Sequence, residues 1–125
     1  WVVFGPGSWF TSVLPHLMVP ELAEALHDTA ARRLVNLNLA PQPGETDGFS
    51  PQKHLEVLQQ HAPDLRVDVV LADRSVVEDA ALLEKAAGAL GGRLVLADVA
   101  DAGGAPRHDP RRLAPILAEI FHGKR

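Results

Sequence analysis

The chain has 125 residues, a formal charge of −4 and no cysteine, with 46% hydrophobic and 22% charged residues. That length holds one domain with a sizeable core, and the missing cysteines exclude disulfides, zinc–thiolate sites and thiol nucleophiles. The acidic balance argues against a dedicated nucleic-acid binder, which carries a basic excess on one face.

No apolar run approaches the ~18 residues of a membrane span, and no signal-peptide pattern stands out, so a cytoplasmic location is expected. The first apolar run, Trp1 to Phe4, reads as a strand. Trp1 is not an initiator methionine and the run looks like the second half of a strand, so the chain reads as a piece of something longer. Behind it comes GPGSWFTSVLPHL (residues 5–17), which supports two readings. One is a strand-ending turn with a serine cap. The other is a nest for a phosphate or diphosphate, in which Gly5 and Gly7 allow close backbone approach and Ser8, Thr11 and Ser12 add hydroxyls.

Pro20 then opens PELAEALHDTAA, a helix with Leu22, Ala25, Leu26 and Thr29 on one face. Arg32 and Arg33 read as a solvated helix end, as do Arg111 and Arg112 later. Leu34 to Leu39 is the second strand, and it runs into NLAPQPGETDG, a loop stiffened by two prolines. Its Glu45 and Asp47 either cap turns or hold a hydrated Mg²⁺ or sugar hydroxyls. Ser50 and Pro51 supply the N-cap and first position of a helix with Leu55 and Leu58 facing inward.

The third strand spans Val67 to Ala72. Ser75 and Glu78 have capping-box spacing for the next helix, and Gly91 stands after Leu90 as its stop. Arg93 to Val99 is the fourth strand, and Ala102 to Pro106 form a glycine-containing functional or variable loop. Asp109 caps the last helix, whose Leu113, Ile116, Leu117, Ile120 and Phe121 make an apolar stripe with Pro115 one turn in.

Arg107, beside that helix start, is suited to bidentate diphosphate binding. His108 points toward the same cleft in one reading, but a lone histidine is a weak catalytic candidate. The scattered His16, His27, His54, His61 and His122 read as surface or packing residues, and no Ser-His-Asp relay is present. The strand–helix alternation gives an α/β fold with a parallel sheet of about four strands. In such sheets ligands gather at the carboxyl ends of the strands, where the glycine turn, the QPGETDG loop and Arg107 all fall.

Three stretches, GPGSWFTSVLPHL, NLAPQPGETDGF and RHDPRRLAPIL, together resemble the YvcK family, also called gluconeogenesis factor, of the CofD-like superfamily. The likeness covers essentially all of this chain and only the C-terminal part of a typical member. His16 and Ala40 stand where the family has Asn and Thr, and Pro110 follows Asp109 where relatives can carry a hydroxyl residue. The resemblance implies that residues 1–125 are the C-terminal part of a single Rossmann-like domain in a cytoplasmic homo-oligomer. The implied ligand is a UDP-sugar of the UDP-N-acetylglucosamine or UDP-glucose type, and the implied role is regulatory, in cell-wall (peptidoglycan) synthesis, cell shape and carbon metabolism, with protein partners in cell-wall synthesis.

On this reading Gly5, Gly7, Ser8, Thr11 and Ser12 contact phosphate or sugar, and Gln42, Gly44, Glu45, Thr46 and Asp47 shape the sugar side. Arg107 neutralises the diphosphate, no residue is catalytic, and Mg²⁺ with Asp47 as its contact is the one cofactor left open. The alternative is a CofD-type transferase, moving a 2-phospholactyl group from a guanosine diphosphate adduct to a deazaflavin.

Overall fold

A computed structural model describes residues 1–40 and 50–124. Its four strands are β1 (Val2–Phe4), β2 (Arg33–Asn36), β3 (Val69–Asp73) and β4 (Arg93–Ala97), and they lie in the order β1-β2-β3-β4 with every neighbouring pair parallel. Between them run α1 (Pro15–Met18), α2 (Pro20–Asp28), α3 (Pro51–His61) and α4 (Ala80–Ala89), and α5 (Pro110–Phe121) follows the last strand. The expected α/β architecture is therefore present.

The two sheet faces bury different clusters, because successive side chains on a strand point to opposite sides. On one face Val35, Val70 and Ala72 meet Trp9, Leu14, Leu55, Leu58, Leu83 and Ala87 from the crossover segments. On the other, Leu34, Val69, Leu71, Val95 and Ala97 meet Ile120, with Leu113, Ile116 and Leu117 packed alongside. The crossovers between strands thus share one side, as a uniform crossover hand requires, and α5 covers the other. No described helix is long and apolar enough to cross a membrane.

Local signals explain most boundaries. Ser50 Oγ accepts from the Lys53 amide at 3.2 Å and Pro51 takes the first helical position of α3. Asp109 Oδ1 accepts from the Arg111 amide at 2.9 Å at the start of α5. Gly91, at φ +89°, ends α4 in the left-handed region that glycine tolerates.

Five expectations need correction: the bounds of three strands, the cap of α4 and the reading of Arg33. The second strand stops at Asn36 rather than Leu39, since beyond the Asn36–Leu71 pair the chain turns toward the glycine loop. Likewise the third strand begins at Val69 and includes Asp73, and the fourth ends at Ala97. Ser75 does not cap α4: it lies in a 3₁₀ turn, Arg74–Val76, and Asp79 caps the helix by accepting from the Leu82 amide at 3.1 Å. Arg33 is no solvated helix end. It sits buried in β2, and its guanidinium donates to the carbonyls of Leu26, His27 and Thr29, closing the C-terminal end of α2.

Candidate functional site

The described residues that follow the four strands lie at the carboxyl edge of the sheet, where polar contacts fix the turns after β1, β3 and β4. After β1, Gly5 has φ +75°, and a Cβ there would stand 2.8 Å from the Asn36 carbonyl oxygen, so only glycine fits without a shift. Asn38 then clamps the turn from the next loop: its Oδ1 accepts from the Gly7 amide at 2.8 Å and its Nδ2 donates to the Gly7 carbonyl at 2.7 Å. A carboxamide copies the donor–acceptor pair of a peptide, so this clamp extends strand-like pairing beyond the sheet.

Trp9–Val13 follows as a single wide turn with Trp9 fully buried. Thr11 donates its amide to Ser8 Oγ at 3.4 Å. The glycine stretch is thus a capped turn, and its Gly7 amide is already engaged by Asn38. Thr11 and Ser12 stay exposed beside it.

At the end of β3 lies Asp73, 4% exposed and directed to the α5 side of the sheet with Leu71. Its Oδ1 accepts from the amides of Val99 at 2.7 Å and Ala100 at 2.9 Å, tying the loop after β4 to the end of β3. Its Oδ2 accepts from the Ser75 amide at 2.9 Å and from the Ser75 hydroxyl. Burial pushes this carboxyl up, but the bonds from Ser75, Ala100 and Val99 together outweigh it and hold the pKa at about 2. Asp73 is the polar keystone that reading the sequence missed. An acidic residue closing the apolar run VVLAD two positions before a serine was the available signal.

The segment after β4 folds back on itself. Ala100 bridges His108 in antiparallel fashion, Asp101 donates its amide to the Arg107 carbonyl at 2.9 Å, and Asp109 donates to Val99 at 2.8 Å. Asp101 Oδ1 accepts from the Gly103 amide at 2.7 Å, and its Oδ2 accepts from Arg107 Nε at 2.8 Å. The Gly103 bond first, then Arg107, lowers the Asp101 pKa. The Arg107 side chain, 76% exposed, is therefore an outward arm of this hairpin.

His108 is half-buried. Burial lowers its pKa more than the Asp73 charge and a hydrogen bond with the Leu37 backbone raise it, so the neutral ring is favoured. His54 is a packing residue as expected, edge-on to Trp9 with ring centres 5.0 Å apart; burial lowers its pKa against the raising effect of the Ser50 backbone.

Residues that follow β2, β3 and β4 wall a cleft of about 440 Å³, lined among others by Leu39, Asp73, Ser75, Asp98, Asp101, Pro106 and Arg112. Its size suits a small polar ligand. Gly5, Gly7, Ser8, Thr11 and Ser12 belong to the same sheet edge but not to the lining of this cleft. Gln42, Gly44, Glu45, Thr46 and Asp47 lie outside the described residues. Among the described residues no cluster of three His, Asp or Glu side chains could hold a metal.

Against known proteins, the family described as "2-phospho-L-lactate transferase CofD" matches residues 1–104. The protein named "Putative gluconeogenesis factor" in Mycobacterium tuberculosis is 50% identical over 119 residues, covering 93% of this chain and 34% of that relative. Its namesake in Mycobacterium leprae is 49% identical over 98% of this chain and 34% of its own length, and that of Deinococcus radiodurans 35% identical over 98% and 28%. The chain thus spans about a third of these relatives.

A crystal structure of a upf0052 family member from Bacillus halodurans superposes with a TM-score of 0.76 at 30% identity, over 94% of this chain and 42% of that one. The parallel sheet with flanking helices agrees with the Rossmann-like architecture expected above. With the family match spanning residues 1–104 and all four strands, the chain belongs to the CofD family, and the relatives it resembles bear the name "Putative gluconeogenesis factor".

Proposed function

We propose that this chain forms part of a nucleotide-sugar-binding regulatory protein, with a ligand of the UDP-N-acetylglucosamine or UDP-glucose type and a cytoplasmic role in cell-wall synthesis, cell shape and carbon metabolism. The observation that carries this reading is the polar cleft at the carboxyl edge of a parallel sheet, the edge where such folds take nucleotides. Its walls are locked by backbone bonds to Asp73 and Asp101, so they are organised before a ligand arrives.

In this reading the Gly5–Ser12 turn approaches phosphate or sugar. Gln42, Gly44, Glu45, Thr46 and Asp47 shape the sugar side, and Arg107 neutralises diphosphate from the hairpin arm. Calorimetric titration of the full-length protein with UDP-N-acetylglucosamine, set against Arg107→Ala, tests it. A loss of affinity of about tenfold or more is expected for a charge-assisted contact, and undiminished affinity removes Arg107 from the site.

The description of the matching family favours a second reading, a 2-phospholactate transferase. It predicts metal-dependent turnover of a guanosine diphosphate adduct with a deazaflavin acceptor, abolished on replacing Asp47. Absence of product with both substrates present excludes it.

A further inference from the structure

Among the described residues, the charged groups around the cleft can be accounted for one by one. Asp73 accepts four hydrogen bonds from Ser75, Val99 and Ala100. Asp98 pairs with Arg74 at 3.1 Å, and Asp101 pairs with Arg107 at 2.8 Å. Arg112 remains. It lines the cleft from the first turn of α5 and is half-buried. Its Nη1 donates to the Ala100 carbonyl at 2.6 Å, it acts on Asp101 only through the longer-range field, and among the described residues it forms no carboxylate ion pair.

A guanidinium carries five N–H donors. One carbonyl anchor aims the fork and leaves it without a direct carboxylate partner among the described residues. Arg107, by contrast, is mostly exposed, has its Nε engaged by Asp101, and is not part of the cleft lining.

We propose that Arg112 is a second cation for the phosphate-bearing part of a ligand, acting from within the cleft while Arg107 acts from the outer arm, with the Ala100 carbonyl holding the Arg112 guanidinium in place. The ligand class is a phosphate or diphosphate group, and its attachment to a nucleotide sugar rests on the function proposed above. A carbonyl contact leaves the net charge of the guanidinium in place, so an incoming dianion can form charge-assisted bonds with it against the field of the neighbouring carboxylates.

The test is titration of the full-length protein, its Arg112→Ala and Arg112→Gln variants and an Arg111→Ala control, with inorganic diphosphate alone and with UDP-N-acetylglucosamine. Gln retains a donor for the Ala100 carbonyl without the charge, so it reports on the anion contact even if Ala disturbs the hairpin. We expect melting of ligand-free Arg112→Gln to match the unmodified protein, diphosphate affinity to fall about tenfold or more, and Arg111→Ala to bind as before.

Unchanged diphosphate affinity in Arg112→Gln overturns the proposal. So does an equal loss in Arg111→Ala, which reduces the effect to general charge. Diphosphate binding that needs Arg112 without any binding of the nucleotide sugar keeps this inference and discards the ligand identity. Nucleotide-sugar binding indifferent to Arg112 does the reverse, and no binding of either probe discards both.

Discussion

Every residue of β3 from Val69 to Asp73 is buried, whereas in β1 only Phe4 is, and Val3 remains 43% exposed. The helices repeat the contrast. α3 buries His54, Leu55, Val57 and Leu58, while α2 has no fully buried residue and leaves Leu22 at 45% exposure. β3 has a paired strand on each side and a helical layer on each face. β1 has one paired strand, and on the α5 side Trp1 leans on Phe121 with ring centres 5.2 Å apart. The difference teaches where the site gains its rigidity: the cleft grows from the doubly covered strand, through Asp73, and not from the β1 edge.

The sharpest way to break that contrast is Asp73→Ala. It leaves the amides of Ser75, Val99 and Ala100 without their acceptor, and the expected loss of stability is about 4 kcal/mol, read by chemical denaturation. Next comes Leu71→Ala, which hollows the α5 side beneath the site; about 3 kcal/mol is expected from lost burial and cavity.

The Asp73 carboxyl also writes an acid limb into stability. Its pKa in the fold, about 2, lies below the ordinary 3.8, so the folded state binds the proton less readily than the unfolded chain. The resulting stabilisation, about 2 kcal/mol, is complete above the unfolded value and disappears as pH falls through about 2. Denaturation curves between pH 5 and pH 2 should therefore be flatter in Asp73→Asn than in the unmodified protein. The smallest effect is expected at the edge: Val3→Ala, already partly in solvent, should cost about 0.5 kcal/mol or less. A cost at Val3 equal to that at Leu71 would erase the distinction between the two regions.

What the sequence disclosed follows from how local each signal is. Ser50-Pro51 and Asp109-Pro110 act within one helical turn, and both begin helices where expected. The apolar runs around Val35, Val70 and Val95 are consecutive enough to announce buried parallel strands.

Asp73 and Asn38 were not legible in the same way, since Asp73 also holds Val99 and Ala100, 26 and 27 residues on, and Asn38 holds Gly7, 31 residues back. Arg33 folds onto carbonyls up to 7 residues before it. Ser75 shows the competition directly. It has the right spacing for a helix cap with Glu78, but its amide and hydroxyl are taken by Asp73, and Asp79 starts the helix four residues later. Arg112 reads as a surface charge in sequence because its clustering with Arg111 hides that one side chain faces the cleft. The glycine turn was legible as a place requiring glycine, and the Asn38 clamp, which sets its shape, was not.

The central claim is that the cleft at the carboxyl edge takes a nucleotide sugar, and direct calorimetric titration of the full-length protein with UDP-N-acetylglucosamine tests it. Saturable binding that inorganic diphosphate competes away is the predicted result. An absence of binding heat, together with a melting temperature that does not move at saturating ligand, contradicts it.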